Sequence, residues 1–129
     1  MAPIAVTLAQ EETPTGIVTL IGEHDAYSAG RLENELALLV DRGIRVVIDL
    51  SDTTFVDSQT LSVMLSARHS AETAGLGFAV VLPRERYTQV HRILELTGLA
   101  ASFAIFPTLK RACAAAREGV NGGERIRAA

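Results

Sequence analysis

The residue pair with the clearest chemical potential is Asp57-Ser58. It stands between a run of β-formers and a stretch of helical periodicity, the setting of a helix N-terminus. A carboxylate there caps by accepting backbone N–H bonds, and the helix dipole favours negative charge beside it. Such an end also accommodates phosphate, so Ser58 reads either as a plain first-turn residue or as a modification site. The other polar residues offer less. His24, His69 and His91 lie in unrelated segments and give no Ser-His-Asp order. His69 falls on the polar side of its helix, and His91, beside Arg92, reads as solvated. Asp49 and Asp52 have the oxygen chemistry of a hard-cation site, but an acidic loop at a strand end is more simply solvated. Gly75-Leu76-Gly77 lacks the Gly-Lys-Ser/Thr of a phosphate-cradling loop. Cys113 makes neither an internal disulfide nor a zinc site alone, and it lies on a small-residue helix side. The residues therefore predict a protein that is not an enzyme and uses no cofactor or metal.

Elements must position Asp57-Ser58, and the hydrophobic periodicity predicts them. Ile4–Ala9 alternates as a half-exposed strand, residues 11–16 read as a turn, and Ile17–Ile21 returns as the second arm of a hairpin that Gly22 ends. Ser28 is the predicted cap of a helix whose buried stripe is Leu32, Leu36, Leu39 and Val40, with Gly43 just past its end. Ile44–Leu50 has the β-branched centre of a strand buried on both faces. Asp57 or Ser58 then opens a helix to about Thr73. Leu61, Met64 and Leu65 face inward, Arg68 and Glu72 are left to solvent, and Gly75 is the stop. Leu76–Leu82 is a strand, and Pro83 is the predicted start of a helix burying Val90, Ile93 and Leu94 and ending at Gly98. Phe103–Phe106 is a short strand, and Pro107 starts a last helix through Ala112, Ala115 and Ala116. The order β-β-α-β-α-β-α-β-α predicts an α/β fold: a mixed, mostly parallel sheet with helices packed outside.

The chain of 129 residues has the length of one domain. That domain is assigned to residues 1–118, with 119–129 as a flexible tail lacking any pattern. Hydrophobic residues make up 48% and charged residues 21%, a globular composition. The longest apolar run falls far short of a membrane helix, so no membrane insertion is expected. No Lys or Arg precedes Arg31, which leaves no basic start for a secretory signal and no basic arm for nucleic acid. A reducing cytoplasm is the default compartment. Charge is uneven: residues 1–60 carry ten carboxylates against three arginines, a net of −7, whereas residues 61–129 carry five carboxylates against nine basic residues, a net of +4. The half containing Asp57-Ser58 is thus the acidic one.

Three segments carry a resemblance: Val47-Ile48-Asp49-Leu50-Ser51-Asp52-Thr53-Thr54-Phe55-Val56-Asp57-Ser58, the run Val90 to Leu99 with Phe103–Phe106, and Gly22-Glu23-His24-Asp25-Ala26-Tyr27. Over roughly residues 3–118 the chain resembles the STAS domain, the fold of bacterial anti-sigma-factor antagonists. The resemblance implies a stand-alone protein-binding module. It would bind an anti-sigma factor that is also a serine kinase of the small ATPase type, and phosphorylation at Ser58 would end the binding. It also implies a partner surface from the Thr53–Ser58 turn and the exposed stripe of the following helix: Thr53, Thr54, Asp57, Ser58, Gln59, Ser62 and Ser66, with Asp25 adding to the acidity. The family's usual Gly-Leu-Gly after the acceptor region is replaced, with Thr60 and Ser62 at the glycine positions; the branched Thr60 is expected to crowd the acceptor, and so either to hinder a kinase or to select a particular one. His24 stands where an apolar residue is commoner. A second implied role is a scaffold without phosphorylation, such as a subunit of a lipid-transport or signalling complex. A third, nucleotide binding, finds no phosphate-cradling loop here. The resemblance leaves the oligomeric state open.

Overall fold

In a computed structural model, described over residues 3–9 and 14–122, the chain forms seven strands and four α-helices among the described residues. Strands β1 (Ile4–Ala9) and β2 (Thr15–Leu20) form the expected antiparallel hairpin. Then follow β3 (Gly22–His24), α1 (Ala26–Asp41), β4 (Arg45–Asp49), β5 (Thr53–Val56), α2 (Ser58–Thr73), β6 (Phe78–Val81), α3 (Gln89–Thr97), a 3-10 turn over Leu99–Ser102, β7 (Ala104–Phe106) and α4 (Leu109–Arg117). The main sheet has the order β1-β2-β4-β6-β7, parallel except for the β1–β2 pair. The parallel crossovers carry the helices, as βαβ connections must.

The sheet is covered on both faces, so its central strands are apolar on both. Val18, Leu20, Val46, Ile48, Phe78 and Val80 pack with Leu32, Leu36 and Leu39 of α1, Leu61 and Met64 of α2, and Val90 and Leu94 of α3. Phe78 and Phe103 stack at a centroid distance of 6.5 Å within this core. On the opposite face Val47, Ala79 and Val81 meet Ala112, Ala116 and Cys113 of α4. Helix stripes and the continuous apolar strands follow the periodicity read from the sequence. Gly43, Gly75 and Gly98 stand past their helices with φ of 71°, 73° and 73°.

Several expectations are corrected. The residues around 53–56 and 22–24 are strands rather than turn and strand end: β3 and β5 form a separate two-stranded parallel sheet. Three- and four-residue strands are too short to show a period, so pairing and not pattern defines them. Of the turn predicted over 11–16, Thr15 and Gly16 belong instead to β2, and residues 11–13 lie outside the described part. Ser28 does not cap α1. Asp25 does, accepting from the Tyr27 N–H at 2.9 Å, while Ser28 is buried in the first turn. Pro83 does not begin a helix, because α3 starts only behind Thr88, whose hydroxyl accepts from the His91 N–H. Thr108 caps α4 one residue after Pro107. Arg68 is not left to solvent: it is partly buried, donating to Asn121 at 2.7 Å and pairing with Glu72 at 3.5 Å. The packed chain also runs past 118, since Asn121 and Gly122 are buried; residues 123–129 of the expected tail lie outside the described part.

Candidate functional site

The N-terminus of α2 is built from the inside out. Strand β5 delivers the chain to Val56, which is buried and held on two sides. On one side it pairs with His24 of β3. On the other the Gln89 amide of α3 behaves as a short piece of strand: the Val56 N–H donates to Gln89 Oε1 at 2.9 Å, and Gln89 Nε2 donates to the Val56 carbonyl at 2.8 Å. Asp57 follows, with its N–H donating to the His24 carbonyl at 3.2 Å. Its carboxylate accepts the Thr60 N–H at 2.8 Å and lies 2.9 Å from the Thr60 hydroxyl. This is the expected cap, and it leaves Ser58 as the exposed first residue of α2.

Parallel pairing of β3 and β5 has a further result. His24 lies opposite Val56, and the next residue on each strand is a helix cap: Asp25 for α1 and Asp57 for α2. Adjacent strands lie about 4.8 Å apart. Two capping aspartates and the two helices they open therefore leave adjacent strands at the same end, with Ser58 directly after Asp57. The sequence showed the acidity but not this juxtaposition, because 31 intervening residues separate Asp25 from Asp57.

Of the residues assigned to a partner surface, Asp25, Thr54, Ser58, Gln59, Ser62 and Ser66 are exposed and Asp57 is half-buried. Thr53 is corrected. It is buried, donating to the Leu20 carbonyl at 2.7 Å, so it holds β5 to the sheet and offers no contact surface. Thr60 also differs from expectation. Its side chain is buried and turned toward the His24 carbonyl, 3.2 Å away, so it does not crowd Ser58. Thr54 borders a cleft of about 570 Å³ lined also by Asp52, Arg84, Glu85 and Thr88. Ser66 borders a smaller groove of about 120 Å³ between α1 and α2, with Leu36, Val40 and Val63 at its floor and Glu33 and Asp41 at its rim.

The histidines separate. His69 is exposed, as read. His91 is not freely solvated: its Nδ1 lies 2.7 Å from the Thr88 hydroxyl within the α3 cap. His24 is fully buried, which sequence reasoning missed because a lone histidine carries no period. Its Nε2 lies 3.1 Å from the Ile21 carbonyl, which only accepts, so Nε2 carries the hydrogen; Nδ1 lies 3.1 Å from the Ser28 hydroxyl. Burial lowers its pKa below the usual 6.5, against the opposing effects of the Ile21 hydrogen bond and the Asp25 charge. Asp49 accepts the Ser51 N–H at 3.0 Å and so serves its own turn. Among the described residues no group of three or more His, Cys, Asp or Glu is placed to hold a metal, and no helix is long and apolar enough to cross a membrane.

Comparison with known proteins gives a consistent result. The family model of the STAS domain matches residues 7–112. The crystal structure of an anti-sigma factor antagonist from Mycobacterium paratuberculosis is 30% identical, covers 89% of this chain and 95% of its own, and superposes with a TM-score of 0.72. A candidate anti-sigma factor antagonist from Thermotoga maritima shares the fold at 23% identity, with 88% and 94% coverage and a TM-score of 0.71. A relative from Thermotoga neapolitana, also named as a candidate anti-sigma factor antagonist, is 34% identical over 68 residues. That match spans 53% of this chain and 58% of the relative's length.

Proposed function

The chain belongs to the STAS domain family, and within that family we propose that it is an anti-sigma-factor antagonist, switched off by phosphorylation at Ser58. Its partner in this reading is an anti-sigma factor that is also a serine kinase of the small ATPase type. The observation that carries the reading is the exposed Ser58 hydroxyl, first in α2 and flanked by the paired caps Asp25 and Asp57. A kinase reaches this hydroxyl without unfolding the helix. The neighbouring Thr60 is buried and out of reach, which supports Ser58 as acceptor.

Phosphate would add about −1.5 to −2 charges beside two carboxylates. Against a partner carboxylate about 6 Å away, at an effective dielectric near 40, two charges cost about 2–3 kcal/mol. That corresponds to some tens-fold to a hundredfold in affinity, enough for a switch. The surface that meets the partner is Thr54, Asp57, Ser58, Gln59, Ser62 and Ser66, with Asp25 beside it. The stripe along α2 is small and polar, so a partner backbone approaches closely at little side-chain entropy cost.

The test is titration of the chain against the candidate kinase encoded in the same genome, with mass spectrometry after incubation with ATP. Phosphate is expected on Ser58 alone. Ser58→Ala should bind as the parent does, and Ser58→Asp more weakly, by less than phosphate because it adds one charge. Modification only at another hydroxyl, or equal affinity of the two variants, counts against the switch. Binding without any modification favours a constitutive scaffold.

A further inference from the structure

The two edges of the main sheet are managed differently. Strand β7 has three residues and is followed at once by Pro107, which blunts it. Strand β1 has six residues, Ile4-Ala5-Val6-Thr7-Leu8-Ala9, with no charge, proline or glycine among them. None of the usual protections of an open edge is present in it.

Register decides which groups of β1 face outward. The Ile21 N–H donates to the Pro3 carbonyl at 3.2 Å, and Ile4 lies opposite Leu20. Antiparallel pairs alternate between hydrogen-bonded and non-hydrogen-bonded. Positions 3, 5, 7 and 9 therefore spend their main-chain groups on β2, and those of Ile4, Val6 and Leu8 point away from the sheet. Ile4 packs into the core at 7% exposure, whereas Val6 is 37% and Leu8 47% exposed, and Ile21, opposite Pro3, is 41% exposed. The outward donors and acceptors of Ile4, Val6 and Leu8, with the exposed Val6 and Leu8 side chains beside them, thus line one open, uncharged edge.

We infer that this edge pairs with β1 of a second copy of the chain, antiparallel about a two-fold axis through Val6. Outward groups at 4, 6 and 8 then meet those at 8, 6 and 4 of the partner, giving about six main-chain hydrogen bonds and one continuous sheet through both copies. Charge favours the antiparallel sense. In sequence Glu11 and Glu12 follow β1, so antiparallel pairing sets the acidic ends of the two strands apart, whereas parallel pairing sets them together. The alternative mate on another copy, β7, is half as long and is followed at once by proline, so the closed two-fold pairing wins over an open chain of copies. Six-residue edges bury less area than a standard interface, so the dimer is weak and exchanges with monomer.

Sedimentation equilibrium of the full chain, from about 1 μM to about 1 mM, tests the inference at the weak end of specific association. A reversible monomer–dimer equilibrium is expected. Val6→Lys, which sets two ammonium groups at the axis, should raise the dissociation constant at least tenfold, while Leu109→Lys on α4 leaves it unchanged. Val6→Cys in a Cys113→Ala background should cross-link under mild oxidation, because paired Cα atoms about 5.5 Å apart suit a disulfide. Leu8→Cys in that background should not, since its partner position is 4. A chain monomeric throughout, a dimer indifferent to Val6→Lys, or equal cross-linking at 6 and 8 overturns the inference.

Discussion

Two buried polar residues, His24 and Thr60, hold the turn that presents Ser58, and each has a measurable signature. The Thr60 hydroxyl lies within hydrogen-bond distance of both the His24 carbonyl and the Asp57 carboxylate. Thr60→Val keeps the shape and removes the hydroxyl, so it should cost about 1 kcal/mol in urea unfolding. A value indistinguishable from zero would show that the Asp57 cap does not depend on it. His24 gives a pH effect. Its folded pKa lies below 6.5 because burial disfavours the charged ring. Below 6.5 the unfolded chain then takes up a proton that the folded chain resists. The His24 contribution is therefore fully present above the unfolded value and is lost as pH falls from 6.5 toward the folded pKa. Unfolding at pH 7.5 and pH 5.5 should show the parent losing stability on acidification, and His24→Gln losing less. Equal losses in both chains would move the source elsewhere. Neither residue's role is legible in the sequence: the direction of the Thr60 side chain, at a position beside the acceptor, depends on a contact 36 positions away.

The elements whose residues repeat with a period were legible, and those defined by pairing were not. The Leu32, Leu36 and Leu39 stripe and the apolar run of β4 announce a helix and a central strand, since each buries a face that repeats. Strands β3 and β5 repeat too little to be read, yet their pairing sets Asp25 beside Asp57. The Asp57-Ser58 boundary was legible because a cap is local chemistry, whereas the Gln89 amide that fixes Val56 comes from α3, 33 positions away. Gln89→Ala leaves a buried main-chain N–H and C=O without these partners and should cost about 1–3 kcal/mol. Amide exchange should locate the loss, with Val56 and the first turn of α2 exchanging faster while the Leu32–Leu39 stretch keeps its protection relative to global unfolding. Uniform acceleration across the chain would mean that Gln89 acts on the whole core and not on the turn.

At the scale of the molecule, the sequence suggested a domain complete by residue 118, and the packing extends it. Nothing in Val120-Asn121-Gly122 repeats, because the attachment there uses backbone and a single amide rather than an apolar stripe. The Val120 carbonyl accepts the Phe78 N–H at 2.9 Å, at the start of the central strand β6. Asn121 accepts from Arg68 at 2.7 Å and donates to the Leu76 carbonyl at 3.0 Å, tying the end of α2 to the entry of β6. This segment thereby braces the helix that carries Ser58 at the end opposite the site. Two truncations isolate its contribution: one chain ending at Gly122 and one ending at Glu118. The difference between them belongs to residues 119–122. Loss of those partners should lower stability by about 1–3 kcal/mol and the melting midpoint by several degrees, about 3–6 °C per kcal/mol for a domain of this size. Binding to the proposed kinase should weaken less than stability does, since Asp57 and Ser58 keep all their own contacts. Identical melting of the two truncated chains would show that the domain does end at 118 and that the Asn121 contacts add nothing to it.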